Sequence, residues 1–137
     1  MLDTNICSFI MRERPASVLE RLRQTVNEQH QIVISVISYY EMLLGAVGRK
    51  ASPRRAQLVD AFVSRLSIIL PWDAASTECA ARIKRQLAAK GTPIGGNDIM
   101  IAGHALAADC VVVTNNTREF ARVDGLHFED WATGSNG

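Results

Sequence analysis

Short runs of nearly continuous apolar residues alternate along this chain with longer stretches whose apolar positions recur every three or four residues. Residues 31–37 hold the β-branched run Ile32-Val33-Ile34-Ser35-Val36-Ile37, the pattern of a strand buried on both faces of a parallel sheet. Residues 67–70, ended by Pro71, and residues 110–114 read the same way, and 126–128 predicts a last, edge strand. Helical spacing predicts helices over 16–26, opened by Pro15, and over 38–47, opened by Ser38 and broken at Gly48. It predicts three more over 53–66, 74–89 and 97–107, with Ser52-Pro53 as N-cap and first helical residue and Gly91 as a stop. Helices 38–47 and 53–66 are expected to form a hairpin. Residues 1–4 read as the stub of a strand, short enough that a few native residues are expected to precede it. Alternating strands and helices with continuous apolar strands predict an α/β fold, a three-layer sandwich with a central parallel sheet flanked by helices.

Composition narrows this picture only slightly. The 137 residues fit one domain, placed at 1–132 with a frayed tail at 133–137. No apolar stretch nears the roughly 20 residues of a membrane span and no secretory pattern opens the chain, so a cytoplasmic location is expected. Cys7, Cys79 and Cys110 are odd in number and lack metal-type spacing, and are expected to be reduced, buried thiols. A net charge of +1 does not mark a general nucleic-acid binder and leaves room for one that uses a local patch and a metal.

The chemistry lies in three acids far apart in sequence. Asp3 ends the opening stub, Glu41 follows the β-branched run, and Asp98 follows a loop holding Gly91, Pro93, Gly95 and Gly96. In an open α/β sheet such junctions gather at the carboxyl ends of the strands, where ligands bind. Each acid has a structural alternative: a turn aspartate at Asp3, a capping box from Ser38 to Glu41, and a helix-dipole partner at Asp98. Residues Ile101, Ala102 and Ala105 share the Asp98 face, so that face should pack on the sheet with Asp98 at its top. Two carboxylates about 5 Å apart repel by roughly 3 kcal/mol at an effective dielectric near 20. Three together would take up protons or recruit a cation, and oxygen ligands without His or Cys favour Mg²⁺ or Mn²⁺ over zinc. Metal-dependent phosphodiester hydrolysis suits such a site. His30, His104 and His127 show no partner spacing, and His104 should point about 120° away from Asp98, which disfavours His-based catalysis.

Taken together these residues resemble the PIN-domain family, most closely its VapC toxins of bacterial toxin–antitoxin pairs. The blocks are Leu2-Asp3-Thr4-Asn5, the stretch from Ser35 through Glu41 to Gly45, Lys90-Gly91-Thr92-Pro93-Ile94-Gly95, Asp98 through Ala105, Val113-Thr114-Asn115-Asn116 and Arg118-Glu119-Phe120. Each is weak alone; their order and spacing are specific. The resemblance implies a PIN fold, Mg²⁺-dependent endoribonuclease activity, a homodimer and a cognate antitoxin that blocks the site. Asp3 and Asp98 match the family's metal-binding aspartates, and Glu41 its third acid. Where many PIN domains carry a fourth Asp this chain has Asn116, and Glu119 is a candidate replacement. The blocks at Lys90 and Thr114 look like the branch whose members cut initiator tRNA in the anticodon stem-loop.

Two surfaces extend the expectation. Arg49, Lys50, Arg54 and Arg55 cluster at the hairpin turn, while Arg82, Lys84, Arg85 and Lys90 line the helix leading to the glycine loop. Arg85 and Lys90 are expected to touch RNA backbone. Tyr39, Tyr40, Met42, Leu43 and Leu44 exceed what one sheet face needs, as a groove for an antitoxin helix would explain. The expected function is a metal-dependent ribonuclease toxin, with Asp3 and Asp98 on Mg²⁺, Glu41 positioning the attacking water and Asn116 orienting a ligand. The alternative is a catalytically silent binding module on the same fold.

Overall fold

The computed structural model describes residues 1–45, 52–66 and 68–133. Its strands are short: β1 (Val33–Ser35), β2 (Ile68–Leu70), β3 (Val112–Val113) and β4 (Phe128–Glu129). β1 pairs with β2 and β3 with β4, both in parallel. The opening residues join the two pairs. Leu2 N–H donates to the Val33 carbonyl at 2.9 Å, Val113 N–H to the Met1 carbonyl at 2.8 Å, and Asp3 N–H to the Val113 carbonyl at 3.0 Å. The stub expected at residues 1–4 therefore lies in the middle of the sheet.

Strand alternation sorts the core into two layers. Met1, Val33 and Val112 face one side, where they meet α5 (Ala74–Ala89), α6 (Gly96–Ala108) and α7 (Thr117–Phe120). Leu2, Ile34 and Val113 face the other, against α1 (Thr4–Met11), α2 (Ala16–Asn27), α3 (Val36–Gly45) and α4 (Pro53–Ser64). Helices cover both faces of a parallel sheet, as the alternation predicted.

Local chemistry sets the boundaries. Ser52 Oγ accepts from Arg55 N–H at 3.2 Å with Pro53 opening α4, and Asp73 Oδ1 accepts from Ser76 N–H at 2.8 Å at the start of α5. α5 ends in a Schellman turn: Gly91, at φ +68°, donates to the Ala88 carbonyl, and Thr92 N–H reaches the Leu87 carbonyl. That turn aims the chain toward Asp98. α5 and α6 pack so closely that a Cβ on Gly103 would stand 2.7 Å from the Ala80 backbone.

Three expectations need correction. The β-branched run is strand only over Val33–Ser35; Ser35 Oγ accepts from Ile37 N–H at 3.0 Å and turns the chain into α3 at Val36. Ser38 is thus a buried residue inside α3 and forms no capping box with Glu41. Residues 4–11, unassigned from sequence, form α1, capped by Asp3. The cysteines are free as expected, yet only Cys7 is buried; Cys79 and Cys110 are partly exposed. The expected helix end at Val47 and Gly48, and the basic residues Arg49 and Lys50, lie outside the described residues, as does most of the 133–137 tail. No helix among the described residues is long and apolar enough to cross a membrane.

Candidate active site

Asp3 is 5% exposed and held at both oxygens. Its Oδ1 accepts from Ile6 N–H at 3.0 Å, capping α1, and its Oδ2 accepts from the Thr114 hydroxyl at 2.5 Å, at the end of β3. Thr114 Oγ1 also accepts the Asn116 backbone N–H at 2.9 Å, so one hydroxyl ties the start of α1 to the turn that carries Asn116. Beside Asp3, the Thr4 hydroxyl donates to Glu41 Oε1 at 2.8 Å. Glu41 is therefore bound across helices, from α3 to α1, rather than to its own helix start.

Asp98 sits in the first turn of α6, and the face below it is core, with Ile101, Ala102 and Ala105 at most 2% exposed. The Asn116 side-chain amide uses both its hydrogens on carboxylates, at 2.9 Å from Asp98 Oδ2 and 2.9 Å from Glu119 Oε2. Asn116 thus bridges two acids, and Glu119 joins the group that the sequence had placed around Asp98.

The electrostatics follow from this crowding. Burial, then the hydrogen bond and charge of Glu119, then the charge of Asp3, push the Asp98 carboxyl up to about 7, against the lowering effect of Asn116. Glu119 is lowered, through its hydrogen bonds to Asp98 and Asn116, so the two carboxyls titrate as a pair. Burial raises Asp3 as well, with Glu41 adding repulsion and the Thr114 and Ile6 hydrogen bonds opposing it.

Asp3, Glu41, Asp98, Asn116 and Glu119 are thus linked in two hydrogen-bonded groups that interact through Asp3. Among the described residues, no three acids, imidazoles or thiols converge tightly enough to enclose a metal. Two aspartates with an otherwise open shell still suit Mg²⁺, which is usually held by one or two carboxylates and keeps several waters. Thr114 was missed as a site residue, although it closes the apolar strand with a hydroxyl and stands in the block Val113-Thr114-Asn115-Asn116. His104 is absent from the site: it is buried, 2.7 Å from Ser35 Oγ. Lys90 pairs with Asp124 at 3.2 Å, and Arg122 donates to the Pro93 carbonyl at 3.0 Å, bracing the loop before Asp98.

The PIN domain family model matches residues 1–126. The tRNA(fMet)-specific endonuclease VapC of Shigella flexneri is 43% identical over 132 residues, covering 96% of this chain and 97% of that protein. This chain is a PIN-domain protein of the VapC toxin type. Its PIN fold superposes on VapBC2 from Rickettsia felis, solved bound to a DNA fragment from their promoter, with TM-score 0.87 and 36% identity over 96% of this chain and 97% of that one. DNA-bound VapBC from Salmonella typhimurium gives TM-score 0.86 and 41% identity, covering 96% of each chain. The linked carboxylates of this PIN domain lie where the starts of α1, α6 and α7 meet α3.

Proposed function

We propose that this VapC-type toxin is a Mg²⁺-dependent endoribonuclease, cutting initiator tRNA in the anticodon stem-loop within the cytoplasm until a cognate antitoxin neutralises it. The observation that carries the proposal is the Asp98 carboxyl, pushed up to about 7 by burial and then by Glu119 and Asp3, with Asn116 bridging it to Glu119. Such a site gains by exchanging its proton for a cation. The substrate follows the likeness to proteins named for tRNA(fMet) in Shigella flexneri and Salmonella typhimurium.

Asp3 and Asp98 would hold the ion. Bound there, it would lower the pKa of a water and neutralise charge on the phosphoryl oxygens. Thr114 and the α1 N-terminus fix the Asp3 carboxylate, so its direction costs no reorganisation during reaction. Glu41, steadied by Thr4, positions the attacking water, while Asn116 holds Asp98 and Glu119 in register. Hydrolysis then proceeds by direct water attack, without a covalent enzyme intermediate.

The partner belongs to the same proposal. Tyr40, Leu43 and Leu44 on α3 are 60%, 42% and 52% exposed, an apolar strip suited to an antitoxin segment or to a second copy in a homodimer. Two relatives of known structure, from Rickettsia felis and Salmonella typhimurium, are VapBC complexes.

Cleavage of a total tRNA pool, with and without Mg²⁺, by this protein and by Asp98→Asn tests the proposal. Fragments that require both the ion and Asp98, and that map to initiator tRNA, are expected. Equal inertness of both proteins in Mg²⁺ and Mn²⁺ would leave the silent binding module.

A further inference from the structure

A cleft of about 360 Å³ opens from the acidic site between three helices. α1 contributes Thr4, Asn5, Ser8 and Met11, one helical face, with Arg12 at its end. α3 supplies Glu41, Met42 and Gly45, and α4 supplies Arg55, Leu58 and Val59. Thr4 and Glu41, joined by their 2.8 Å hydrogen bond, belong to both the cleft and the acidic site. Met42 and Val59, 5% and 4% exposed, form an apolar floor.

The charges in the cleft are distinctive. Arg12 and Arg55 are exposed, and none of the ion pairs among the described residues includes either of them. Their hydrogen bonds go to backbone carbonyls instead, Arg12 to Ser8 at 3.3 Å and Arg55 to Gly45 at 3.4 Å. A second cleft, of about 450 Å³, lies at the other end of the strands and has the opposite character. Its arginine, Arg21, is paired with Glu129 at 3.3 Å, and Glu28 and Asp109 also line it. Only the first cleft offers guanidinium groups without carboxylate partners beside an apolar floor.

Charge selects the occupant. The guanidinium groups of Arg12 and Arg55, without carboxylate partners, suit backbone phosphates, and the apolar floor of Met42 and Val59 suits a base.

We propose that this cleft is an RNA subsite, seating a nucleotide that flanks the scissile phosphate, with Arg12 and Arg55 holding backbone phosphates; it rests on the ribonuclease proposal. The two arginines supply attraction where the acids of the site itself repel RNA. They also fix which side of the cut the strand follows.

The test measures binding of the initiator-tRNA anticodon stem-loop to the full chain carrying Asp98→Asn, across a salt series. Arg12→Gln and Arg55→Gln should each weaken binding roughly tenfold. Together they should lower the slope of log affinity against log salt by about 1.4, at about 0.7 per phosphate contact. Ser8→Phe, which fills the cleft without changing charge, should weaken binding with the slope unchanged. Arg65→Gln, at the end of α4 outside the cleft, should bind as the parent does, and circular dichroism melts check that each variant folds. Unchanged affinity and slope in the double arginine variant, with melting intact, would overturn the subsite and leave the cleft to a protein partner. Cleavage by the otherwise native protein separates the two proposals. Intact binding without any cleavage would sink the ribonuclease and spare the subsite; normal cleavage by the double arginine variant would do the reverse.

Discussion

Helix α6 carries two polar clusters built on opposite principles. At its first turn Asp98 faces Glu119, with Asn116 between them and Asp3 within electrostatic reach. Two turns later His104 meets Ser35 Oγ at 2.7 Å and sets its ring edge-on to Trp72, centroids 5.3 Å apart. Ser35 also accepts the Ile37 N–H, so the second cluster is neutral and satisfied. Burial lowers the His104 pKa, against weaker effects of the Pro71 carbonyl and Asp73, and favours that neutral form. The first cluster gathers like charges that the fold alone does not balance. A structural polar group is hydrogen-bonded and uncharged, whereas a working one is left in need of something from outside.

The sharpest break of this comparison is Asp98→Asn. It should cut tRNA cleavage by about 10³-fold or more, since the group acts on the reacting phosphate, as gel-resolved single-turnover rates would show. Gly103→Val drives a side chain into the Ala80 backbone beside His104 and should cost about 3 kcal/mol in urea melts. A stability like that of the native chain would mean α5 and α6 separate easily. His104→Leu should cost roughly 1–3 kcal/mol at neutral pH, because the Ser35 hydroxyl loses its partner.

The His104 variant should also change the pH profile. A His lowered in the fold contributes stability that is present above the unfolded value of 6.5 and is lost as pH falls through the depressed folded value. The native chain should weaken along that limb and His104→Leu should not. Asp98 has the reverse sign. Its carboxyl, raised from 3.8 to about 7, gives stability that is full below 3.8 and lost as pH rises through 7. In chelator-treated buffer at pH 8, Asp98→Asn should therefore be more stable than the parent by about 1–2 kcal/mol, after allowing for solvent screening, with the gain vanishing near pH 4. The smallest effect belongs to the exposed Lys90–Asp124 pair, where Lys90→Met should cost under about 0.5 kcal/mol.

Local pattern was enough for the features that local physics controls. The limits of α5 and the Ser52 cap of α4 follow from capping and turn residues, and the apolar face beneath Asp98 follows from 3.6-residue spacing. Asp3 and Asp98 were marked by their place at strand and loop ends. What the pattern missed has a common cause. The run 32–37 has β propensity throughout, yet the Ser35 hydroxyl and packing on α6 turn it into helix at Val36. The capping box fails for the same reason, since the helix begins two residues before Ser38. α1 was unread because its cap, Asp3, was weighed as a ligand or a turn residue and not as an N-cap.

The sequence by itself determined an α/β chain with helices on both sides of a parallel sheet, and which acids stand at strand and loop ends. Only the tertiary structure decided who meets whom: Thr114 on Asp3, Thr4 on Glu41, and Asn116 between Asp98 and Glu119. Helix and strand periods act over a few residues, and a sequence displays them directly. Apart from the local Asn116–Glu119 contact, these carboxylate contacts span 18 to 111 positions and depend on how two layers of helices close on a short sheet, a property that no local spacing encodes.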